Sequence, residues 1–303
     1  MTTAASARTE PRRVAAFACL VLSAVAMGAS PIFVRLADVG PYASAFWRTL
    51  LALPLLWLWS RLETRRAART RFDRSALVAG LLFAGDLFFW HLAIVNTTVA
   101  NATFLATTTP VWVALGAWLL AMETIGARTL GGIALCLAGG AALVGQSYGF
   151  APQGVAGDLF GVVTAVFFGS YMLAVRWART YHAAGRLLFL STMVTAPCLL
   201  VVALMMEPHL LPQSAGGLAA LLALALVSHV GGQGLAAIAL GTLPATFSSL
   251  VIFIEAIAAA VLGWLILGEA LGALQVAGGV LILLGIFVAR PRSQAAAIPQ
   301  AGP

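Results

Sequence analysis

The stretch "ALGAWLLAME" at residues 114–123 returns in related form as "AVLGWLILGE" at residues 260–269. Among the identical pairs that the offset of 146 residues aligns are Trp118 with Trp264, Glu123 with Glu269, Gly132 with Gly278, and Gly139 with Gly285. Similarity at a fixed distance along a chain indicates two copies of one structural unit. We therefore predict that the protein is built from two related halves.

The composition around this repeat predicts a membrane protein. Hydrophobic residues make up 61% of the 303-residue chain and charged residues only 9%, whereas an ordinary soluble domain has roughly 25% charged residues. Uncharged runs recur with about the 20 residues that a helix needs to cross a bilayer. We predict an all-α membrane protein with ten transmembrane helices, at residues 14–34, 41–60, 76–95, 98–121, 128–146, 157–176, 187–206, 217–240, 244–267 and 270–289.

The arginines predict the orientation of these spans, because basic residues near span ends stay on the cytoplasmic side. With both termini cytoplasmic, fifteen of the 17 basic residues fall on that side, namely Arg8, Arg12, Arg13, Arg61, Arg65, Arg66, Arg69, Arg71, Arg74, Arg128, Arg176, Arg179, Arg186, Arg290 and Arg292. Only Arg35 falls outside, and only Arg48 falls within a span. We predict cytoplasmic N and C termini in a bacterial inner membrane. The net charge of +7 then indicates contact with the lipid bilayer, and no nucleic acid is expected as a partner.

A second similarity, between "GASPIFVR" at 28–35 and "GSYMLAVR" at 169–176, has an offset of 141 residues. Each half then holds five spans, and this odd number makes the second copy enter the membrane from the opposite face. Inverted repeats of this kind are typical of secondary transporters, whose site lies between the halves near the midplane. The predicted division is a cytoplasmic tail, a first repeat, a periplasmic linker, a second repeat and a second tail, at residues 1–13, 14–146, 147–156, 157–290 and 291–303.

Several features of the chain exclude other functions. It contains no lysine, so it has neither the phosphate-binding lysine of a P-loop nor a Schiff-base lysine. No predicted loop exceeds about fifteen residues, which leaves no room for a soluble catalytic domain. Cys19, Cys136 and Cys198 lie singly in separate spans, without the spacing of a disulfide framework or a zinc site. We expect no enzymatic activity, no cofactor and no metal.

The order of these motifs resembles a known family. Ten spans in two halves, "FWRTLLA" in the second span, and apolar spans that close in "LLxxE" at Glu123 and "LILGE" at Glu269 resemble the EamA-type carriers of the drug/metabolite transporter superfamily. The resemblance covers residues 14–290. It implies a carrier that exports amino acids, metabolites or drugs, or carries nucleotide sugars, and the bacterial aromatic amino-acid exporters are the branch we expect. One departure is that Ser191 stands roughly where the first copy has Arg48, so the role of Arg48 is not duplicated.

Three charged residues within spans are the first candidates for the transport pathway, since a charge at the bilayer centre costs roughly 2.5–3.5 kcal/mol on insertion scales. Asp86 and Glu255 lie near the middle of their spans, where each can line a cavity or bind a proton, or can form a structural hydrogen bond instead. Arg48 lies roughly 10 Å inside its span. It can meet a substrate carboxylate or hold a gating ion pair, or it can snorkel to the surface or pair with Asp38.

Polar and aromatic residues near these charges complete the predicted pathway. Trp90 shares a helical face with Asp86, whereas His91 lies about 140° away and either lines the pathway or is a core histidine. His229 and Gln233 are four residues apart and share a face. Further candidates, with interhelical hydrogen bonding as the alternative, are Tyr171, Asn101 and Thr108.

The fifth and tenth spans carry no charge near the midplane and are rich in small residues. Gly132 and Gly139 are one heptad apart, and Gly278 and Gly285 repeat this spacing. Small residues on one face let helices pack closely. We predict that these spans are a scaffold or a dimer contact, in a monomer or a weak homodimer.

These patterns favour a carrier that exports a small-molecule substrate, most of all an aromatic or hydrophobic amino acid, by alternating access between the repeats. A membrane-embedded enzyme would need acids or histidines bunched at one water interface. A channel would repeat its pore-lining groups around an axis, whereas Arg48, Asp86 and Glu255 are unpaired between the halves. Because neither acid has an acidic counterpart, we expect facilitated diffusion, with proton-coupled antiport of drugs or metabolites as the alternative.

Overall fold

The computed structural model describes residues 3–64, 73–97, 102, 105–144, 155–267 and 272–291. The described helices of the first half are α1 (Thr3–Gly28), α2 (Ser30–Leu36), α3 (Pro41–Thr64), α4 (Arg74–Asn96), α5 (Thr109–Leu119) and α6 (Ala127–Val144). Those of the second half are α7 (Val155–Ala178), α8 (Ala184–Met206), α9 (Ala215–Ala223), a π-helical segment (Leu224–Gln233), α10 (Gly234–Leu240), α11 (Ala245–Ile252), α12 (Ile254–Leu267) and α13 (Ala273–Ala289). Within these ranges no residue forms a β-strand. Asn101, Glu269 and most of the predicted linker lie outside them.

Many of these helices have the length and composition of membrane spans. Six helical stretches of the described chain are long and apolar enough to cross a bilayer, namely Pro11–Leu36, Arg74–Asn96, Val155–Ala178, Ala184–Met206, Ala215–Leu240 and Ala245–Ile266. Shorter apolar helices are Thr109–Leu119, Ala127–Leu143 and Ala273–Ala289. Helix α3, with 24 residues, is as long as the span Val155–Ala178, and it carries Arg48. The protein is therefore an all-helical, multi-pass membrane protein, while the count of ten spans and their orientation stay predictions.

Helices α3 and α8 occupy equivalent places in the two halves and pack side by side in opposite directions. Glu207, just past α8, accepts hydrogen bonds from the backbone N–H of Tyr42 at 2.6 Å and of the next residue at 3.1 Å. Glu63, in the last turn of α3, accepts from the N–H of Gly185 at 2.8 Å and of the next residue at 3.3 Å. First-turn N–H groups have no partner within their own helix. Each carboxylate therefore caps the helix of the other half.

Glu123, which closes the repeated motif of the first half, also caps a helix of the second half. Its two carboxylate oxygens accept the backbone N–H groups of Ala245 at 2.5 Å and Thr246 at 3.1 Å, in the first turn of α11. A carboxylate at a helix N-terminus is also favoured by the helix dipole. Glu123, the last residue of the motif, thus links the two halves by hydrogen bonds.

Helices α6 and α13, the predicted scaffold pair, meet through their glycines. A methyl group on Gly139 would lie 2.6 Å from the carbonyl oxygen of Gly278, and one on Gly132 would lie 2.7 Å from that of Gly285. Such close backbone approach requires residues without a side chain. The faces that carry Gly132, Gly139, Gly278 and Gly285 therefore cover each other within one chain, as the scaffold interpretation expects, and a dimer contact through other residues of these helices stays a prediction.

The remaining helices also pair across the halves. α4 packs against α7, α1 against the π-helical segment and α10, and α5 against α11. Polar contacts fix two of these pairs, since Thr97 donates to Asp158 at 2.7 Å and Ser23 donates to the carbonyl of Gly232 at 2.7 Å. The two halves interlock, so any space between them is bordered by both.

One end of the bundle, which we call the arginine face, carries Arg61, Arg74, Arg128, Arg176, Arg179, Arg186 and Arg290. Hydrogen bonds join the helix ends there, because the Arg176 guanidinium donates to the carbonyl of Leu240 at 2.7 Å and that of Arg179 donates to the carbonyl of Ala237 at 2.8 Å. Arg35 lies at the other end, where Asp38 accepts from the N–H of Gln213 at 3.0 Å. Seven of the described basic residues thus lie at one face, and which side of the membrane that face meets stays a prediction.

Candidate substrate cavity

A cavity of about 170 Å³ lies between the two halves. Its polar wall residues are Ser30, Arg48, Asp86, Thr107, Thr109, Thr164, Gln233, Ser249 and Glu255, and its aromatic ones are Phe83, Trp90, Phe168 and Phe253. A largely apolar wall with a few directed polar groups is typical of sites for small molecules. The position between interlocked halves is the one that inverted-repeat carriers use for substrate.

The helices that border the cavity are interrupted there. α1 ends at Gly28 and α2 begins two residues later, while Phe253 separates α11 from α12. Thr107 stands in a turn just before α5, and it precedes Phe253 by the same 146 residues that separate the repeated motifs. A methyl group on Gly140 would lie 3.2 Å from the Phe253 ring and 3.3 Å from the Thr107 hydroxyl, so the two equivalent breaks meet. Interrupted helices in membrane carriers present backbone groups to bound substrates and ions.

Arg48 is the one arginine among the residues that line the cavity. The side chain is only 6% exposed, and its Nε has no hydrogen-bond partner in the described part of the chain. A buried, unsatisfied charged donor is costly, and the same side chain lines a cavity that a ligand can enter. The Arg48 guanidinium is therefore the part of the cavity wall best suited to an anionic group.

Two carboxylates share the cavity with Arg48. Asp86 comes from the middle of α4 and Glu255 from the first turn of α12. Both are near enough to act on the charge of Arg48, although no ion pair joins either of them to it among the described residues. The cavity thus offers separated positive and negative groups rather than a closed salt bridge.

Four of the predicted pathway residues lie away from the cavity wall. Tyr171 and His229 are buried behind Phe83, with ring centroids 4.8 and 5.5 Å from its ring. His91 binds the carbonyl of Leu87 through Nδ1 at 2.6 Å. The fourth is Thr108, whose hydroxyl donates to the carbonyl of Leu105 at 2.7 Å and accepts from the Trp112 indole at 3.3 Å.

The predicted residues that the structure brings together at the cavity are Arg48, Asp86, Trp90, Gln233 and Glu255. Asn101 lies outside the described residues. The buried His229 accepts or donates at Nε2 with the Thr192 hydroxyl at 3.0 Å, while its Nδ1 has no partner among the described residues. Sequence reasoning missed the hydroxyl groups of Thr107, Thr164 and Ser249, because serine and threonine are common in membrane helices and carry no signal of their own.

The model of the EamA-like transporter family matches the chain twice, at residues 15–145 and 155–290. The chain belongs to the EamA-like transporter family. It is therefore a carrier of the drug/metabolite transporter superfamily, in which each half of the chain is one family unit.

Two relatives and one solved structure are also similar to this EamA-like carrier. It is 32% identical over 162 residues to a protein named "Uncharacterized transporter" from Archaeoglobus fulgidus, an alignment that covers 50% of this chain and 54% of that protein, about half its length. It is 27% identical over 239 residues to the pseudopaline exporter CntI of Pseudomonas aeruginosa, covering 79% of this chain and 82% of the relative. A protein of known crystal structure shares the fold, with a TM-score of 0.79 at 18% identity over 93% of this chain and 97% of the other.

Proposed function

We propose that this EamA-like carrier exports amino acids with aromatic or hydrophobic side chains across the bacterial inner membrane. The observation that carries the proposal is that Arg48, whose buried Nε has no partner among the described residues, lines the cavity. A substrate carboxylate would form a charge-assisted hydrogen bond with its guanidinium.

The rest of the cavity suits the other two parts of such a substrate. Asp86 and Glu255 offer negative charge to an α-ammonium group, and Trp90, Phe83 and Phe168 offer aromatic surface to an apolar side chain. A nucleotide sugar fits poorly, because a diphosphate favours several cations and Arg48 is the one cation among the wall residues. The name of the Pseudomonas aeruginosa relative, an exporter, supports transport out of the cell.

The proposed mechanism is alternating access with facilitated diffusion. The two halves rock about the cavity, and the substrate moves down its own gradient. Asp86 and Glu255 have no acidic counterparts in the repeat, so the chain lacks a duplicated pair of proton sites. The second candidate is proton-coupled antiport of drugs or metabolites, which the presence of two buried carboxylates beside a single cation favours.

A growth experiment tests the substrate class. Cells that overproduce the protein should resist toxic analogues of phenylalanine and tryptophan. Trp90→Ala should weaken this resistance, whereas Trp118→Ala should not, because Trp118 is 62% exposed on the outside of the bundle. Resistance to cationic drugs alone, with equal amounts of folded protein, would favour the second candidate.

Energy coupling needs its own experiment. In sealed proteoliposomes, an imposed pH gradient should leave the substrate at equal concentrations on both sides if transport is facilitated diffusion. Accumulation against the gradient, together with its loss in Glu255→Gln while counterflow remains, would show proton coupling through Glu255.

A further inference from the structure

A second, smaller cavity of about 10 Å³ adjoins the substrate cavity. Phe168, Gln233 and Ile252 border both spaces. They come from three different elements, which are α7, the end of the π-helical segment and the end of α11. We call these three residues the separating layer, because they are the walls that the two cavities share.

The small cavity extends from the separating layer toward the arginine face. Its wall follows α7 through Met172 and Val175 and follows α10 through Ala236 and Leu240. Both helices end at the arginine face. The guanidinium of Arg176 spans them there by donating to the carbonyl of Leu240 at 2.7 Å. The small cavity, which has about the size needed for one water molecule, thus lies between the separating layer and an arginine bridge.

The repeat relates the separating layer to other residues of the substrate cavity. The 141-residue offset places Phe168 where the first half has Met27, and the 146-residue offset places Ile252 where it has Ala106. Met27 and Ala106 both line the substrate cavity. In an inverted repeat, residues that border the route on one face have equivalents that border it on the other. Two residues of the separating layer therefore have first-half equivalents that also line the substrate cavity.

Movement of the separating layer would break few hydrogen bonds. Gln233 donates from Nε2 to the sulfur of Met27 at 3.3 Å, and a thioether is a weak acceptor. Phe168 and Ile252 are held by apolar contacts, which have no preferred direction. Gln233 also ends a π-helical segment, a type of local distortion that is frequent at functional sites.

We propose that the separating layer is the gate between the substrate cavity and the arginine face. When it opens, substrate passes between α7, α10 and α11, and the bridge from Arg176 to Leu240 breaks. This inference rests on the proposed transport through the cavity, but not on which molecule is carried.

Thiol labelling tests the route without any substrate. In a background with alanine at the three natural cysteines, Met172→Cys and Ala236→Cys should each react with a membrane-impermeant thiol reagent applied at the arginine face. Thr242→Cys, exposed at that face, is the positive control, and Val227→Cys, 41% exposed on the side of the bundle, is the negative control. If Thr242→Cys reacts but neither Met172→Cys nor Ala236→Cys does, the proposal that the separating layer is a gate is wrong.

A blocking variant tests passage itself. Ala237→Phe puts a ring larger than the small cavity in its wall and should reduce export to the level of cells without the protein, whereas Val227→Phe should transport normally. Equal yields and unfolding temperatures of the two purified variants exclude a folding defect, and full export by folded Ala237→Phe would contradict the proposal. If Met172→Cys reacts but no amino acid is transported, the substrate assignment fails and the gate stands.

Discussion

Glu63 and Glu207 bind opposite ends of the same pair of helices. Each lies at the end of its own helix and caps the first turn of the equivalent helix in the other half, with its closest N–H···O distances at 2.8 Å for Glu63 and 2.6 Å for Glu207. This reciprocity is possible only if α3 and α8 run in opposite directions. The two carboxylates are thus direct geometric support for an inverted repeat.

Loss of either cap should destabilise the bundle. Glu63→Ala and Glu207→Ala should each lower stability by about 0.5–2 kcal/mol, as loss of a helix cap usually does. The corresponding glutamine variants keep one acceptor oxygen and should lie between alanine and the wild type. Thermal unfolding of the detergent-solubilised protein measures this order. Alanine variants with unchanged unfolding temperatures would show that the caps contribute nothing.

Adjacent glycines in α6 should respond in opposite ways to alanine. Gly132→Ala would place its methyl group 2.5 Å from the Cβ of Ala289, and such overpacking typically costs about 1–3 kcal/mol. Gly131 has no heavy atom within 4 Å of the same position, so Gly131→Ala should gain roughly 0.5–1 kcal/mol of helix stability. Thermal unfolding of both variants at several protein concentrations also tests whether the contact lies within one chain, since a dimer contact would make the effect depend on concentration.

The contact between Asp73 and His182 at the arginine face predicts a dependence on pH. Burial raises the pKa of Asp73, but hydrogen bonds from Ser75, the N–H of Ala76 and His182 outweigh burial and hold it below its ordinary value of 3.8. A carboxyl whose pKa is lowered by folding adds stability above its unfolded pKa, and this stability is lost as the pH falls through the folded pKa.

Asp73→Asn tests this charge while it keeps a side chain that can cap α4. At neutral pH the variant should unfold at a lower temperature than the wild type. The difference should shrink as the pH falls from about 3.8 through the lowered pKa of the folded carboxyl, because the unfolded chain takes up the proton first and the folded protein follows. A difference that stays constant across the pH range would mean that the charge of Asp73 does not stabilise the fold.

The orientation prediction can be tested at two exposed loops. Gln213→Cys lies at the end of the bundle that carries Asp38, and Thr242→Cys lies at the arginine face. With impermeant reagent added to intact cells, Gln213→Cys should react and Thr242→Cys should not. The reverse pattern would place the arginine face outside the cell.

Much of this architecture was predictable because its signals are local. Apolar runs, arginine positions and the offset of 146 residues are read directly from the sequence, and isolated charges such as Arg48 stand out against an apolar background. Contacts that join distant parts of the chain were not predictable. The caps at Glu63 and Glu207 depend on residues more than 120 positions away, as the separation of 122 between Glu63 and Gly185 illustrates.

Helical spacing also gave an incomplete picture of the cavity. It indicates which residues share a face, but not which neighbour that face meets. It therefore could not show that Tyr171 lines the small cavity rather than the substrate cavity, or that His229 lies behind Phe83. The π-helical segment through His229 and Gln233 departs from the α-helical period on which the prediction relied. Gln233 lines the substrate cavity, whereas His229 forms a hydrogen bond with Thr192.

Counterflow in proteoliposomes is the most direct test of the account. Vesicles loaded with unlabelled phenylalanine should take up labelled phenylalanine through the wild-type protein. Arg48→Gln should reduce the initial rate at least about tenfold, because loss of a charge-assisted hydrogen bond costs about 1.5–3 kcal/mol. Arg128→Gln, at an exposed arginine, should leave the rate unchanged. Folded wild-type protein that carries no member of a labelled amino-acid panel, or an Arg48→Gln variant that carries phenylalanine at the full rate, would contradict the account.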